Sequence, residues 1–263
     1  MTPYRAILSA RFRMLLQYRS AALAGVITQV FWGFIRVMIF SAFYASTPAV
    51  QPISREQTVT YIWLGQALLA MMPWRVDGEV RGLIRTGTVA YELLRPVRLY
   101  GLWYARALAG LTAPTLLRAA PLLTLAGLFF GLQPPASPAA LGAFVLALAG
   151  SLLVGAAITT LMTILMLWTI SGEGINVLIG SAVWLLTGIM IPLPLLPPWA
   201  QPLLSALPFR AIFDTPLQLY TGLIPPGHLA GPLLHQLAWA AGLAGLGSLL
   251  LRAGTRRLVV QGG

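Results

Sequence analysis

The sequence has no cysteine and no lysine, and only six acidic residues and two histidines among 263. Without cysteine there is no disulfide, no thiolate nucleophile and no thiolate metal site. Without lysine there is no Walker A loop, whose lysine must reach the nucleotide phosphates, and no Schiff-base chemistry. A chain of this composition that used ATP would need another chain to hydrolyse it. Charged residues make up 9% of the sequence, against about 25% in an ordinary soluble domain. The net charge of +11 comes from 17 arginines set between oily stretches. That arrangement argues for membrane topology and against nucleic acid as a partner.

What the chain has in quantity is hydrocarbon: 58% of residues are hydrophobic and the mean hydropathy is +0.81. A membrane helix needs about 20 mainly apolar residues to cross a core of ~30 Å. On that criterion the sequence predicts an all-α polytopic protein with six spans, forming a single transmembrane domain over 1–263. The spans fall near Ala21–Tyr44, Thr58–Trp74, Leu108–Leu132, Ala139–Trp168, Ile175–Ile191 and Leu229–Leu251, the second and fifth being short. One side of this topology receives Arg5, Arg11, Arg13, Arg19, the arginines of 75–106, Arg252, Arg256 and Arg257; the other receives Arg55 and Arg210. An excess of arginine marks the cytoplasmic side, so both termini are expected in the cytoplasm. The first span is long enough to remain as an anchor, and no cleavable signal peptide is evident before it.

Ahead of that span, over 1–20, Tyr4, Ile7, Leu8, Phe12, Leu15 and Leu16 recur at helical spacing, with Arg5, Arg13 and Arg19 mostly off the stripe and Arg11 intruding on it. This reads as an amphipathic helix lying in the membrane interface, a simple basic flank being the alternative. The loop 75–106 carries six arginines and three carboxylates, too dense a charge for hydrocarbon. Within it, Asp77 and Glu79 fall where a helix N-terminus favours acids, and Arg81 and Arg85 follow at four-residue spacing. Gly87 can end that helix in a left-handed conformation, and Pro96 stops the next segment from running straight on. A short helix held at the surface in this way suits a docking element.

The segment 191–227 holds nine of the 20 prolines yet stays apolar. Prolines this frequent forbid one long helix, and apolar side chains forbid a solvated loop. A pair of short helices that enter the outer leaflet and return fits both, with the broken backbone satisfied by protein. Trp199 and Tyr220 suit the membrane interface. Such a segment is either an outer gate or a cap filling space between the last two spans.

Arg36 and Arg118 fall inside the first and third spans, where an unpaired arginine costs at least ~2.5 kcal/mol. Arg36 lies close enough to the outer side to reach the headgroups. Arg118, between Pro114 and Pro121, is nearer the middle and is expected to face an interior, meeting an acidic or phosphate-bearing substrate or a carboxylate of a partner chain. Glu173 lies in the tight turn between spans four and five, as a second surface contact or as a plain turn carboxylate. His228 and His235, without acids or cysteines beside them, make no metal site.

Two stretches resemble the six-span bacterial group of ABC-2-type transporter permeases. One is Ile84-Arg85-Thr86-Gly87 through Leu93-Leu94-Arg95-Pro96-Val97. The other is Thr187-Gly188-Ile189-Met190-Ile191-Pro192-Leu193 through Leu207-Pro208-Phe209-Arg210-Ala211, followed by Tyr220-Thr221-Gly222, with Thr187 where serine is commoner. The resemblance implies the membrane subunit of an ABC exporter, working as a dimer of identical or paralogous permeases above two ATPase chains that hold the ATP and magnesium. The chain itself would be no enzyme and would bind no cofactor or metal. By that resemblance Arg75, Asp77, Glu79, Arg81 and Arg85 would meet the ATPase, with Glu173, by its position alone, a second and smaller contact or a plain turn carboxylate. Pro192, Trp199, Pro208, Phe209 and Arg210 would belong to the re-entrant outer segment read as a gate. Apolar spans with few internal charges suit a lipid-like or amphipathic substrate.

Rival classes read differently. A gradient-driven secondary transporter usually carries ionisable residues at the midplane, and no Asp or Glu falls deep in any expected span. An intramembrane serine enzyme needs a base beside its nucleophile, and the histidines sit near one edge. A non-transporting membrane scaffold makes no such demand of the sequence.

Overall fold

A computed structural model describes residues 3–169 and 173–256, with the Glu173 side chain, residues 170–172 and Arg257 outside the described residues. Every regular element among the described residues is helical. The eleven α-helices are α1 Pro3–Leu15, α2 Arg19–Ser46, α3 Arg55–Ala67, α4 Gly78–Arg85, α5 Ala90–Leu93, α6 Leu99–Phe129, α7 Pro138–Leu165, α8 Glu173–Leu186, α9 Gln201–Ala206, α10 Asp214–Thr221 and α11 Ala230–Thr255.

Among the described residues four helices are long and apolar enough to cross a membrane: α2, α6, α7 and α11. The second and fifth expected spans form shorter helices. α3 has 13 residues and α8 has 14, about 20 Å each at ~1.5 Å per residue, short of the ~30 Å hydrocarbon core. α3 gives way at Leu68 to a 3₁₀ turn over Leu69–Met71 and then to Pro73. α6 begins at Leu99, nine residues before the expected third span, so the end of the 75–106 loop is the first two turns of a long helix. It runs unbroken past Pro114 and Pro121, and Thr112 and Thr115 donate their hydroxyls to Leu108 O and Leu111 O in this stretch.

Local chemistry sets the helix starts. Ser54 and Gln57 form a capping box at α3, which satisfies two backbone donors reciprocally. Ser137 accepts from Ala140 N at 3.0 Å ahead of Pro138, the first residue of α7. Asp77 caps α4.

α7 is the buried axis. It packs on α6, α10 and α11, and its inner face is built of Ala, Gly, Ser and Thr, which let backbones approach closely. α2 is the opposite case, with Leu23, Ile27, Phe31 and Met38 turned outward and few residues buried. A water-soluble protein would hide such a face; a membrane protein presents it to lipid. α1 lies along α6, where the Tyr4 ring fills the space left by Gly101 and its hydroxyl accepts from Arg98 N at 3.0 Å. Ile7 and Leu251 pack into one cluster with Val80 and Trp103, so both described ends of the chain share one end of the bundle.

Candidate functional site

At that end, α4 is fixed to the bundle by charge. Asp77 Oδ1 accepts from the backbone N–H of Glu79 at 2.9 Å and of Val80 at 3.3 Å. Arg106, in the first part of α6, reaches Asp77 Oδ2 through Nε at 3.1 Å and Glu79 Oε2 through Nη2 at 2.7 Å. Arg11 of α1 pairs with Glu79 through Nη1 and lies 3.6 Å from Asp77 through Nη2. Three helices thus meet in a cluster of two acids and two arginines. Burial pushes the Asp77 carboxyl up, but the Arg106 hydrogen bond and charge, Arg11 and the Glu79 N–H together hold it below its ordinary value. The Arg106 hydrogen bond, outweighing partial burial and joined by Arg11, also holds Glu79 down.

Under the cluster the loop is packed. Val80 and Val89 are fully buried against Leu102, Trp103 and Ile164. The Trp103 indole donates to buried Glu92 at 2.8 Å. Gly87 closes α4 at φ +73°. On the outer face, Arg75 stacks over Trp74 at 5.0 Å from the ring centre, and Arg75 and Arg85 are exposed with Arg81 half-buried. Among the described residues none of the three has an ion-pair partner. Tyr91 and Leu94 add exposed apolar surface beside them.

At the far end a single carboxylate organises the proline-rich segment. Asp214, with 0% of its surface exposed, accepts from Arg210 Nε at 3.0 Å and Gln218 Nε2 at 2.6 Å. It also accepts from the Tyr61 hydroxyl of α3. Gly188, at φ +84°, passes directly beneath: a Cβ there would lie 2.9 Å from Tyr61 Oη and 3.4 Å from Asp214 Cβ. Only glycine combines that dihedral with that space. Gln236 of α11, fully buried, donates to Ala147 O and Ala211 O, both at 2.9 Å, and Ser151 donates to the same Ala211 O. Broken backbone near the prolines is satisfied in this way by side chains of the long helices. Tyr220 donates to Gln133 O at 2.9 Å, which ties α10 to the connection between α6 and α7.

The family model described as ABC-2 family transporter protein matches residues 30–262. The chain belongs to that family. No curated protein and no solved structure matches it. The ABC-2 chain is therefore a multi-pass membrane subunit of an ABC transporter, a transport component and not itself a catalyst.

The structure gathers some of the expected site residues of this permease and separates others. Asp77 and Glu79 meet each other across Arg11 and Arg106, leaving Arg75, Arg81 and Arg85 as the cationic outer face. Glu173 opens α8, its side chain lying outside the described residues. Pro192 and Pro208 are buried and Phe209 packs against the main core, whereas Trp199 is 79% exposed. Arg36 and Arg118 do not converge. Arg36 donates to Ile189 O and lies 5.8 Å from the Trp184 ring centre. Arg118 lies over Gly25 of α2, where a Cβ would meet its Cζ at 2.7 Å. Sequence reasoning passed over Arg106, Tyr61, Asp214 and Gln218. The signal for Asp214 was a lone carboxylate four residues after Arg210 in an apolar segment. Tyr61 carried none.

Proposed function

We propose that this ABC-2 permease is the membrane half of an ATP-driven exporter in the bacterial inner membrane. Each chain crosses six times, α3 and α8 serving as short crossings completed by their flanking turns, and both termini lie in the cytoplasm. Two permease chains, identical or paralogous, frame the pathway. Two ATPase chains, which hold the ATP and magnesium, dock beneath the face that carries Arg75, Arg81, Arg85 and Glu173. The substrate is lipid-like or amphipathic. The segment 191–227, braced at Asp214, is the outer gate, with Pro192, Trp199, Pro208, Phe209 and Arg210 in it. Arg118 faces the neighbouring permease or the pathway.

One observation carries the reading: α4 is locked to α1 and α6 by four charges while Arg81 and Arg85 have no acid of their own among the described residues. A rigid cationic face without an internal partner suits an acidic groove on another protein. Nucleotide-driven movement of that protein would pass through α4 into α6 and α1 together, because the cluster joins them.

A gentle-detergent pull-down of the tagged chain tests this directly. A P-loop ATPase in roughly equal amount is the expected companion, with or without a second permease. Recovery of the chain alone would remove the energy source and favour gradient-driven transport or a scaffold role. Arg81→Glu with Arg85→Glu is expected to uncouple ATP hydrolysis from export while leaving the chain in the membrane; normal export with the ATPase still bound would end the docking assignment. Arg118→Leu is expected to abolish export without blocking insertion, and unimpaired transport by that variant would remove Arg118 from the pathway.

A further inference from the structure

A cavity of about 780 Å³ opens between α2, α3, α8 and the chain around Met190–Leu195, within the ~300–1,000 Å³ range of small-molecule sites. Its wall is largely aromatic and aliphatic, with Trp32 and Phe40 from α2 and Trp184 from α8. Four polar side chains interrupt the wall: Thr28, Gln29 and Arg36 of α2 and Gln66 of α3. The Thr28 hydroxyl is taken up by Ala24 O on its own helix at 3.0 Å.

Gln29 is 2% exposed and Gln66 3%. Neither the nitrogen nor the oxygen of the Gln29 amide has a hydrogen-bond partner among the described residues, and the Gln66 amide oxygen has none either. A buried amide without a partner destabilises the fold that holds it. Two of them beside one cavity point to a partner that arrives with a ligand. Arg36 lies seven residues after Gln29, two helical turns or about 10 Å along the same face. Its guanidinium donates to Ile189 O and rests near the Trp184 ring, and no carboxylate faces it among the described residues. An arginine in apolar surroundings with free donors and no acid is a site for an anion.

We propose that this cavity binds one anionic amphiphile. Its acidic group sits on Arg36, its neutral carbonyl or hydroxyl groups meet Gln29 and Gln66, and its hydrocarbon covers Trp32 and Phe40. The exporter reading decides only whether that amphiphile is cargo. Binding itself is a property of this chain alone.

The test is native mass spectrometry of the purified full chain in neutral detergent, titrated with phosphatidylglycerol or with phosphatidylcholine of the same acyl chains. One phosphatidylglycerol per chain is expected to bind about tenfold more tightly than phosphatidylcholine, the scale of one charge-assisted hydrogen bond. Arg36→Gln is expected to erase that preference. Gln29→Leu with Gln66→Leu is expected to weaken both lipids about tenfold while raising the melting temperature of the lipid-free chain, since unpaired buried amides are removed. Equal binding of the two lipids to the native chain, or native-like binding by the double leucine variant, overturns the proposal. So does a double leucine variant that loses self-association and keeps its lipid, for the cavity would then belong to a second copy of the chain. Transport of labelled phosphatidylglycerol by the assembled complex would make the occupant cargo, and retention without transport would make it a resident lipid; both uphold the site. Because no ATPase takes part in the binding assay, its failure leaves the docking assignment standing, and the reverse holds as well.

Discussion

Asp77 and Asp214 are carboxylates folded into an oily chain, and their surroundings differ in three respects. Asp77 shares two arginines with Glu79, and both arginines come from helices distant in sequence. Asp214 has one arginine, four residues away on its own segment, and two neutral donors. The first cluster touches water, Glu79 keeping 53% of its side chain exposed, while the Asp214 side chain keeps none. A shared, half-wet cluster can lose one contact and keep the others, and salt screens it. A sealed carboxylate cannot exchange its donors for water, so it holds until it is broken outright. The same residue type therefore makes a half-wet, salt-sensitive brace at the end that bears the docking face and a sealed pin at the proline-rich end.

The sharpest way to break this contrast is Asp214→Ala, which strands the Tyr61, Gln218 and Arg210 donors in a dry site. A loss of about 3–5 kcal/mol is expected, the scale of breaking a buried pair, read as failed accumulation or a large drop in detergent melting temperature. A loss no greater than that of a surface pair would mean water enters there. Arg106→Ala comes next. It leaves Asp77 and Glu79 with Arg11 alone, and roughly 1.5–3 kcal/mol should be lost by the same measurement. Tyr61→Phe removes one of three donors to Asp214 and should cost ~1–2 kcal/mol with little salt dependence. Arg11→Ala should cost about 0.5–1 kcal/mol, shrinking as ionic strength rises. If Tyr61→Phe proved the salt-sensitive change and Arg11→Ala the insensitive one, the two ends would have to exchange roles.

The smallest effect concerns pH. The folded Asp77 and Glu79 carboxyls lie below their ordinary values of 3.8 and 4.5. Their contribution is complete above those unfolded values and is lost only as pH falls through the lowered folded ones. Melting curves should show no change from this cluster between about pH 8 and pH 5, and a loss below about pH 4. A loss centred near pH 6 would assign the transition to another group.

Much of this was legible in the residues. The arginine stripes, the short second and fifth apolar runs and the Asp77 cap follow from length, charge and local hydrogen bonding. Even Arg11 was marked, since a guanidinium on the apolar stripe of an amphipathic helix needs a reason, and Glu79 supplies it. The Gly188 of the second motif was legible as a motif, not as the space beneath the Tyr61–Asp214 contact. Tyr61 sits in an ordinary apolar helix, and Gln218 reads as a polar residue in a loop. Their roles arise from pairings across 153 and four residues, of which only the second has a helical spacing to betray it.

The sequence by itself determined that the chain is helical and that it belongs in a membrane, because composition and periodicity act locally and need no partner. The tertiary structure alone decided where the polar groups meet: Arg106 beside Asp77, Tyr61 beside Asp214, Gln29 and Gln66 on one cavity. In a chain so poor in charge, the cost of leaving any polar group alone in hydrocarbon selects the packing, and that cost is fixed only when the helices meet.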